Sequence, residues 1–181
     1  MFYTIQNNSL LTAENEQALT RFYNNVLPLP DDYEIGKYIV VDGELIRNPD
    51  WEEEKLKELK EQKYVEANSG AKEYLESGNA LYEFEKGKHI EATDGNIAKF
   101  TAYALAFVTG QLTPTDTVIW NTKEDENVNL NQTQVANILV GLGQVQAVVW
   151  SVKFPYYLNL IAEAQTIEEA EAIIIDYTKE E

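Results

Sequence analysis

The 181-residue chain has no cysteine, one histidine (His89), one methionine and five prolines. Without cysteine there is no disulfide, no thiol nucleophile and no Cys/His zinc site. A Ser-His unit could be built only on His89. Positive charge is scarce too: 14 Lys and Arg stand against 31 Asp and Glu, a formal net charge of −17. A polyanion gains affinity from cationic side chains that displace its counterions. Nucleic acid and anionic membrane are therefore not expected as partners. No apolar run approaches the ~20 residues that span a bilayer. The longest candidate, residues 145–160, is broken by Gln146, Ser151, Lys153 and Pro155. The N-terminal residues lack the basic cluster of a secretory signal, so a cytoplasmic origin without membrane insertion is expected.

The content that remains, 44% hydrophobic and 11% aromatic, is globular rather than disordered. Residues 2–5 read as a strand, followed by a polar turn over Gln6, Asn7, Asn8 and Ser9. Thr12 offers an N-cap for a short helix to about residue 24, with Ala18, Leu19, Phe22 and Tyr23 at helical spacing. Pro28 and Pro30 close it. Asp42-Gly43 lies between two β-branched runs, and a pair able to take positive φ twice signals a hairpin. Residues 1–49 thus make a small α+β module.

Residues 51–75 contain no proline. Glu52, Glu53 and Glu54 suit a helix N-terminus, and Glu53 pairs with Lys57 at i,i+4. Leu56 and Leu59 give a thin apolar edge; Tyr64, Ala67, Ala71, Tyr74 and Leu75 give a better one. The a/d pattern does not persist over three or four heptads. Residues 50–78 are therefore read as an exposed helical connector.

Residues 79–181 form the third part. Residues 80–84 and 88–91 read as paired strands, and Thr93 or Asp94 caps a helix with Ile97, Phe100, Ala104, Phe107 and Val108 on one face. Residues 117–121 and 127–130 look like two further strands joined by an acidic turn. Asn131 or Thr133 caps the longest helix, whose buried stripe is Val135, Ile138, Leu139, Leu142, Val145, Val149 and Val152. Pro155 predicts a kink or break. Thr166 and Glu169 form a capping box that opens a terminal helix to about residue 177. The fold class is α+β: an N-terminal module, a helical connector, and a C-terminal small antiparallel sheet packed on three helices.

Little chemistry stands out. His89 has no nucleophile or orienting acid identifiable from sequence, and a partly exposed strand histidine is the commoner case. Glu124, Asp125 and Glu126 lack the frame of an EF-hand loop. Gly141 and Gly143 sit inside the helical stripe, away from any strand-turn-helix phosphate loop, and suit close helix approach. No catalytic residue, metal ligand or cofactor site is expected. Exposed aromatics are the better lead, because Trp and Tyr are enriched at interface hot spots. The candidate interface residues are Leu56, Leu59, Tyr64, Trp150, Tyr156 and Tyr157, while Trp120, inside an alternating strand, is expected in the core.

Residues 79–84 (NALYEF), 87–90 (GKHI), 94–97 (DGNI), 118–122 (VIWNT), 128–135 (VNLNQTQV) and 164–170 (AQTIEEA) occur in an order that resembles a domain family. That family is found at the C-terminal ends of bacteriophage and prophage tail, tail-fibre and fibre-assembly proteins. The resemblance covers about residues 79–178, and residues 1–49 look like the small modules that precede such domains. It carries over no catalytic residue. Pro155 departs from the pattern, since relatives run an uninterrupted helix there. The resemblance implies a non-enzymatic tail component, attached to a baseplate or fibre, in the virion tail and in the host cytoplasm during assembly. Its partners would be other tail or fibre proteins and copies of itself, as a trimer by analogy with fibre symmetry or as a dimer. A fibre-assembly chaperone is the alternative. A glycan hydrolase using paired carboxylates is a third reading.

Overall fold

In the computed structural model, which describes residues 1–179, the chain is α+β, with 46% helix and 21% strand in small antiparallel sheets. It divides into two units, Met1–Glu58 and Leu59–Glu181. In the first, β1 (Phe2–Gln6) reverses through Asn7 and Asn8, at φ 50° and 62°, into β2 (Ser9–Ala13). Two asparagines tolerating positive φ meet the demand of a tight hairpin turn. Thr12, expected to cap a helix, is therefore paired with Tyr3 inside a strand. The cap is Asn15 instead, whose Oδ1 accepts the Ala18 N–H at 2.9 Å, and α1 (Glu16–Thr20) is shorter than expected. β3 (Leu27–Pro28) pairs with the other side of β1. β4 (Tyr38–Val41) and β5 (Glu44–Arg47) form the expected hairpin over Asp42 and Gly43, at φ 51° and 83°. Leu19, Leu29, Trp51 and Thr4 are buried in this unit.

The helix α2 (Trp51–Glu76) contributes its first turns to one unit and its remainder, from Leu59, to the other. It is not a free connector: Ala67, Ala71 and Leu75, four residues apart, are buried in the second unit's core. That spacing puts them on one face of the helix, and the two alanines allow close packing. The hydroxyl of Tyr177 donates to the Ala67 carbonyl at 2.9 Å.

In the second unit β6 (Leu81–Glu85) and β7 (Lys88–Glu91) form one hairpin, β8 (Val118–Asn121) and β9 (Asn127–Leu130) another. The expected single sheet is thus two separate ribbons. Between them runs α3 (Asp94–Val108), capped by Thr93, which accepts the Asn96 N–H at 3.1 Å. Phe100 and Phe107 are buried as expected, but Val108, at the helix end, is exposed. Trp120 packs on Phe100, ring centroids 4.6 Å apart.

Asn131 caps α4 (Gln132–Val148), with Gln134 completing a capping box. A π turn (Val149–Lys153) leads directly into α5 (Phe154–Glu163). Of the kink or break expected at Pro155, the break does not occur, and the helix is instead irregular just before it. A proline ring clashes with the carbonyl one α-turn back and offers no N–H. The wider turn, closed by the Phe154 N–H donating to the Val149 carbonyl, absorbs that conflict just before it would arise. An inserted residue also rotates the stripe: Val152 becomes exposed, while Tyr157 and Ile161 turn inward. The resulting Gln132–Glu163 helix is long and apolar enough by length and composition to cross a membrane, with an 18-residue window of mean hydropathy 1.6 that is 28% buried. The sequence-based exclusion of such a stretch rested on the interruptions at Gln146, Ser151, Lys153 and Pro155, all of which the helix accommodates. α6 (Ile167–Glu171) opens with the expected Thr166–Glu169 capping box but ends well short of Tyr177. The following residues, 172–179, leave the helix, and Tyr177 is buried in the core.

Candidate interaction surface

The six expected interface residues separate into outward and inward groups. Leu56 in the first unit and Leu59 in the second are half-buried on α2. Tyr64 is half-exposed, and its ring meets Phe154 edge-on at 6.1 Å. Phe154 in turn meets Trp150 at 5.5 Å, so Tyr64, Phe154 and Trp150 form one aromatic row. Trp150 packs against the core and is only partly accessible. Tyr156 points outward, while its neighbour Tyr157 is buried.

Tyr157 is therefore not an interface residue. Its hydroxyl donates to the Asp176 carbonyl at 2.8 Å and accepts the Asp176 N–H at 3.1 Å. Its ring lies 5.1 Å from Tyr177. Lys153 Nζ donates to the carbonyls of Tyr177 and Lys179 at 2.8 and 3.0 Å, which anchors the same tail. Burial pushes the Tyr177 phenol up to about 12. It stays neutral and able to donate over the physiological range.

His89 has a partner that sequence could not identify. Its Nδ1 lies 2.7 Å from Glu124 Oε1, and its backbone N–H donates to Oε2 at 3.0 Å. The backbone donor and the ring hold the Glu124 carboxyl down at about 2, against an ordinary 4.5. Lys123 donates its N–H to the His89 carbonyl at 3.0 Å and pairs with Glu91. A histidine oriented by a carboxylate is half of an acid–base relay. Here the same carboxylate also takes up the histidine's backbone, so the contact braces the β6–β7 hairpin to the β8–β9 turn. No group of three His, Asp or Glu is placed to hold a metal ion among the described residues.

In the first unit an open cleft of about 720 Å³ is lined by Tyr33, Ile35, Trp51, Glu34, Glu54 and Glu58, among others. Lys37 Nζ lies 4.9 Å over the Trp51 ring and 3.1 Å from Asp32. Lys55 also lines the cleft and pairs with Glu58 at 3.3 Å, which leaves the wall net acidic and better suited to a cationic group than to a phosphate.

A further surface was missed by the sequence reading. The outward side of α4 presents Ala136, Val140, Gly143, Ala147 and Val148, all exposed, and Val152 continues the patch from the π turn. Val140 keeps 61% of its surface. A Cβ built at Gly143 would meet nothing within 4 Å. Residues 127–152 contain no charged side chain. At this chain's density of one charged residue in four, a stretch of that length would carry about six. That gap in charge is the signal the sequence carries for this face.

Comparison of the chain with protein-family models, with curated proteins and with solved structures finds no match.

Proposed function

We propose that this chain is a non-enzymatic interaction component of a bacteriophage or prophage tail, associated with the baseplate or tail fibre and assembling with copies of itself. The tail setting follows from the sequence resemblance over about residues 79–178. What supports an interaction role physically is the uncharged, exposed α4 face on a chain of net charge −17. An exposed apolar patch rimmed by polar side chains is the kind of surface that marks an interaction site. The sole histidine, used as a brace between two hairpins, is consistent with a structural role.

The test is quantitative mass spectrometry of purified particles alongside unassembled fibre protein. Presence in particles at a fixed ratio to fibre or baseplate subunits is expected. Recovery only with unassembled fibre would make it an assembly chaperone instead. Absence from both would overturn the reading.

A further inference from the structure

We infer that α2, the π turn and α5 together form a peptide-binding groove whose ligand is the chain's own residues 172–179, held as a removable strap. The strap's backbone is satisfied by side chains rather than by a sheet or a helix. Among the described residues, no backbone–backbone hydrogen bond joins residues 174–179 to another element. Lys63 on α2 donates to the Ile173 carbonyl at 2.9 Å. Lys153 in the π turn donates to the carbonyls of Tyr177 and Lys179. Tyr157 on α5 holds both backbone groups of Asp176 through one hydroxyl. Main-chain bonds combined with a pocket for a chosen side chain are how folded domains bind extended peptides.

The chosen side chain is Tyr177. Its ring lies against α2 at Gly70, where a Cβ would come within 3.3 Å of Tyr177 Cε2. Tyr74 stacks on it at 6.2 Å, and Tyr157 meets it edge-on. Its hydroxyl reaches the Ala67 carbonyl, which gives the pocket an acceptor at its closed end. The ligand is also shaped in advance. Asp176 Oδ1 accepts the Thr178 N–H at 3.0 Å and the Thr178 hydroxyl at 2.6 Å, a local turn that needs nothing from the groove. Preorganisation of this kind reduces the entropy lost on binding.

Release of the strap leaves the rest of the unit's hydrogen bonding in place. The buried Phe100, Leu130, Val135, Ile138 and Leu142 belong to α3, β9 and α4 and stay packed on one another's elements. The loss is confined to Tyr177, the flanking Ile173 and Ile175, and the side-chain bonds above. Opening is therefore local rather than global. While seated, the strap closes the groove to any other peptide, since a short tether holds it at an effective concentration of ~1 mM.

The probe is a fluorophore-tagged peptide of residues 170–179, titrated against the full chain by fluorescence anisotropy. A Tyr177→Ala chain, whose own strap has lost its anchor, is expected to bind this peptide with a Kd of ~10–100 µM. The wild type should bind it at least ~10-fold more weakly, because its own strap competes. A peptide carrying Tyr177→Ala should bind neither chain. If circular dichroism shows the Tyr177→Ala chain to be partly unfolded, the intact peptide should restore its helical signal and the Tyr177→Ala peptide should not. A variant chain that neither binds the intact peptide nor regains structure with it overturns the inference. Equal binding of the two peptides does so too, because the pocket would then not read Tyr177. Wild-type binding as tight as the variant's would mean that residues 172–179 do not occupy the site, and would equally overturn it.

Discussion

Gly141 and Gly143 sit two residues apart in one helix, yet alanine at the two positions should act in opposite directions. Glycine inside a helix costs about 1 kcal/mol relative to alanine, so each replacement starts with that gain. At Gly143 nothing opposes it. At Gly141 the new Cβ would lie 2.5 Å from Tyr82 Cε1 and nearer still to Cζ and Cε2. Ordinary carbon contacts are ~3.5–4.0 Å, so the ring or the helix must move by more than 1 Å. Tyr82 sits on β6, packs against the core and cannot yield without losing those contacts. Overpacking of this kind costs about 1–3 kcal/mol, and with the contact this short we take the upper part of that range. Gly141→Ala should then destabilise by about 1–2 kcal/mol net, while Gly143→Ala stabilises by about 1 kcal/mol. The assay is urea denaturation followed by tryptophan fluorescence, two of the three tryptophans (Trp120 and Trp150) lying in this unit. Tyr82→Ala is the decisive second change. In that background the obstruction is gone, and Gly141→Ala should become stabilising. Persistent destabilisation by Gly141→Ala in the Tyr82→Ala protein would refute the steric explanation.

The Glu124 contact predicts a pH dependence. Its folded-state carboxyl lies at about 2 and its ordinary value is 4.5, so the stabilisation is complete above pH 4.5 and lost as pH falls toward 2. Thermal melts should show the wild type losing more stability across that window than Glu124→Gln; parallel curves would remove the brace from consideration. Among the described residues the hydroxyl of Thr4 is buried without a hydrogen-bond partner. Thr4→Val should therefore raise stability by about 1 kcal/mol, and a loss on calorimetry would mean that the hydroxyl has a partner in solution. Tyr157→Phe deletes both bonds to the Asp176 backbone. It should cost about 1–2 kcal/mol and speed amide exchange and proteolysis over residues 172–179, and unchanged tail protection would contradict the clasp.

The elements legible in the sequence were those fixed by local chemistry. Asp42-Gly43, the Thr166–Glu169 box and the periodic stripe of α4 each carry a backbone requirement or an amphipathic rhythm within a few residues. The errors arose where a local signal had two meanings. Thr12 can cap a helix or sit in a strand, and Asn7-Asn8 decided the matter by turning β1 back on itself. Ala67 and Ala71 look neutral along a charged helix, and only their burial identifies them as core. Tyr156 and Tyr157 are adjacent and chemically alike, so nothing local could reveal which one faces the Asp176 backbone. Three-dimensional pairs such as His89 with Glu124, 35 residues apart, leave no sequence trace at all.

Pro155 shows how one such ambiguity propagates. Read locally, it ends a helix, and the residues on either side become two short elements with no continuous outer face. The π turn instead carries the helix across it and shifts the facing of every later residue. Tyr157 is thereby assigned to the core and Tyr156 to the surface. The same rotation brings Val152 into line with the exposed side of α4 and lengthens the uncharged patch by about one turn. Replacing Pro155 by alanine separates the two contributions, because alanine permits ordinary α-helical bonding. If the π turn depends on the proline, Pro155→Ala should relax it to an α turn, bury Val152 and unseat Tyr157 from Asp176. Amide exchange would then show lost protection at the C-terminal tail despite a residue of higher helix propensity. If core packing of Tyr157 and Ile161 holds the π turn instead, tail protection will be unchanged and the helix simply more stable. The burial of both side chains against the core favours the second outcome.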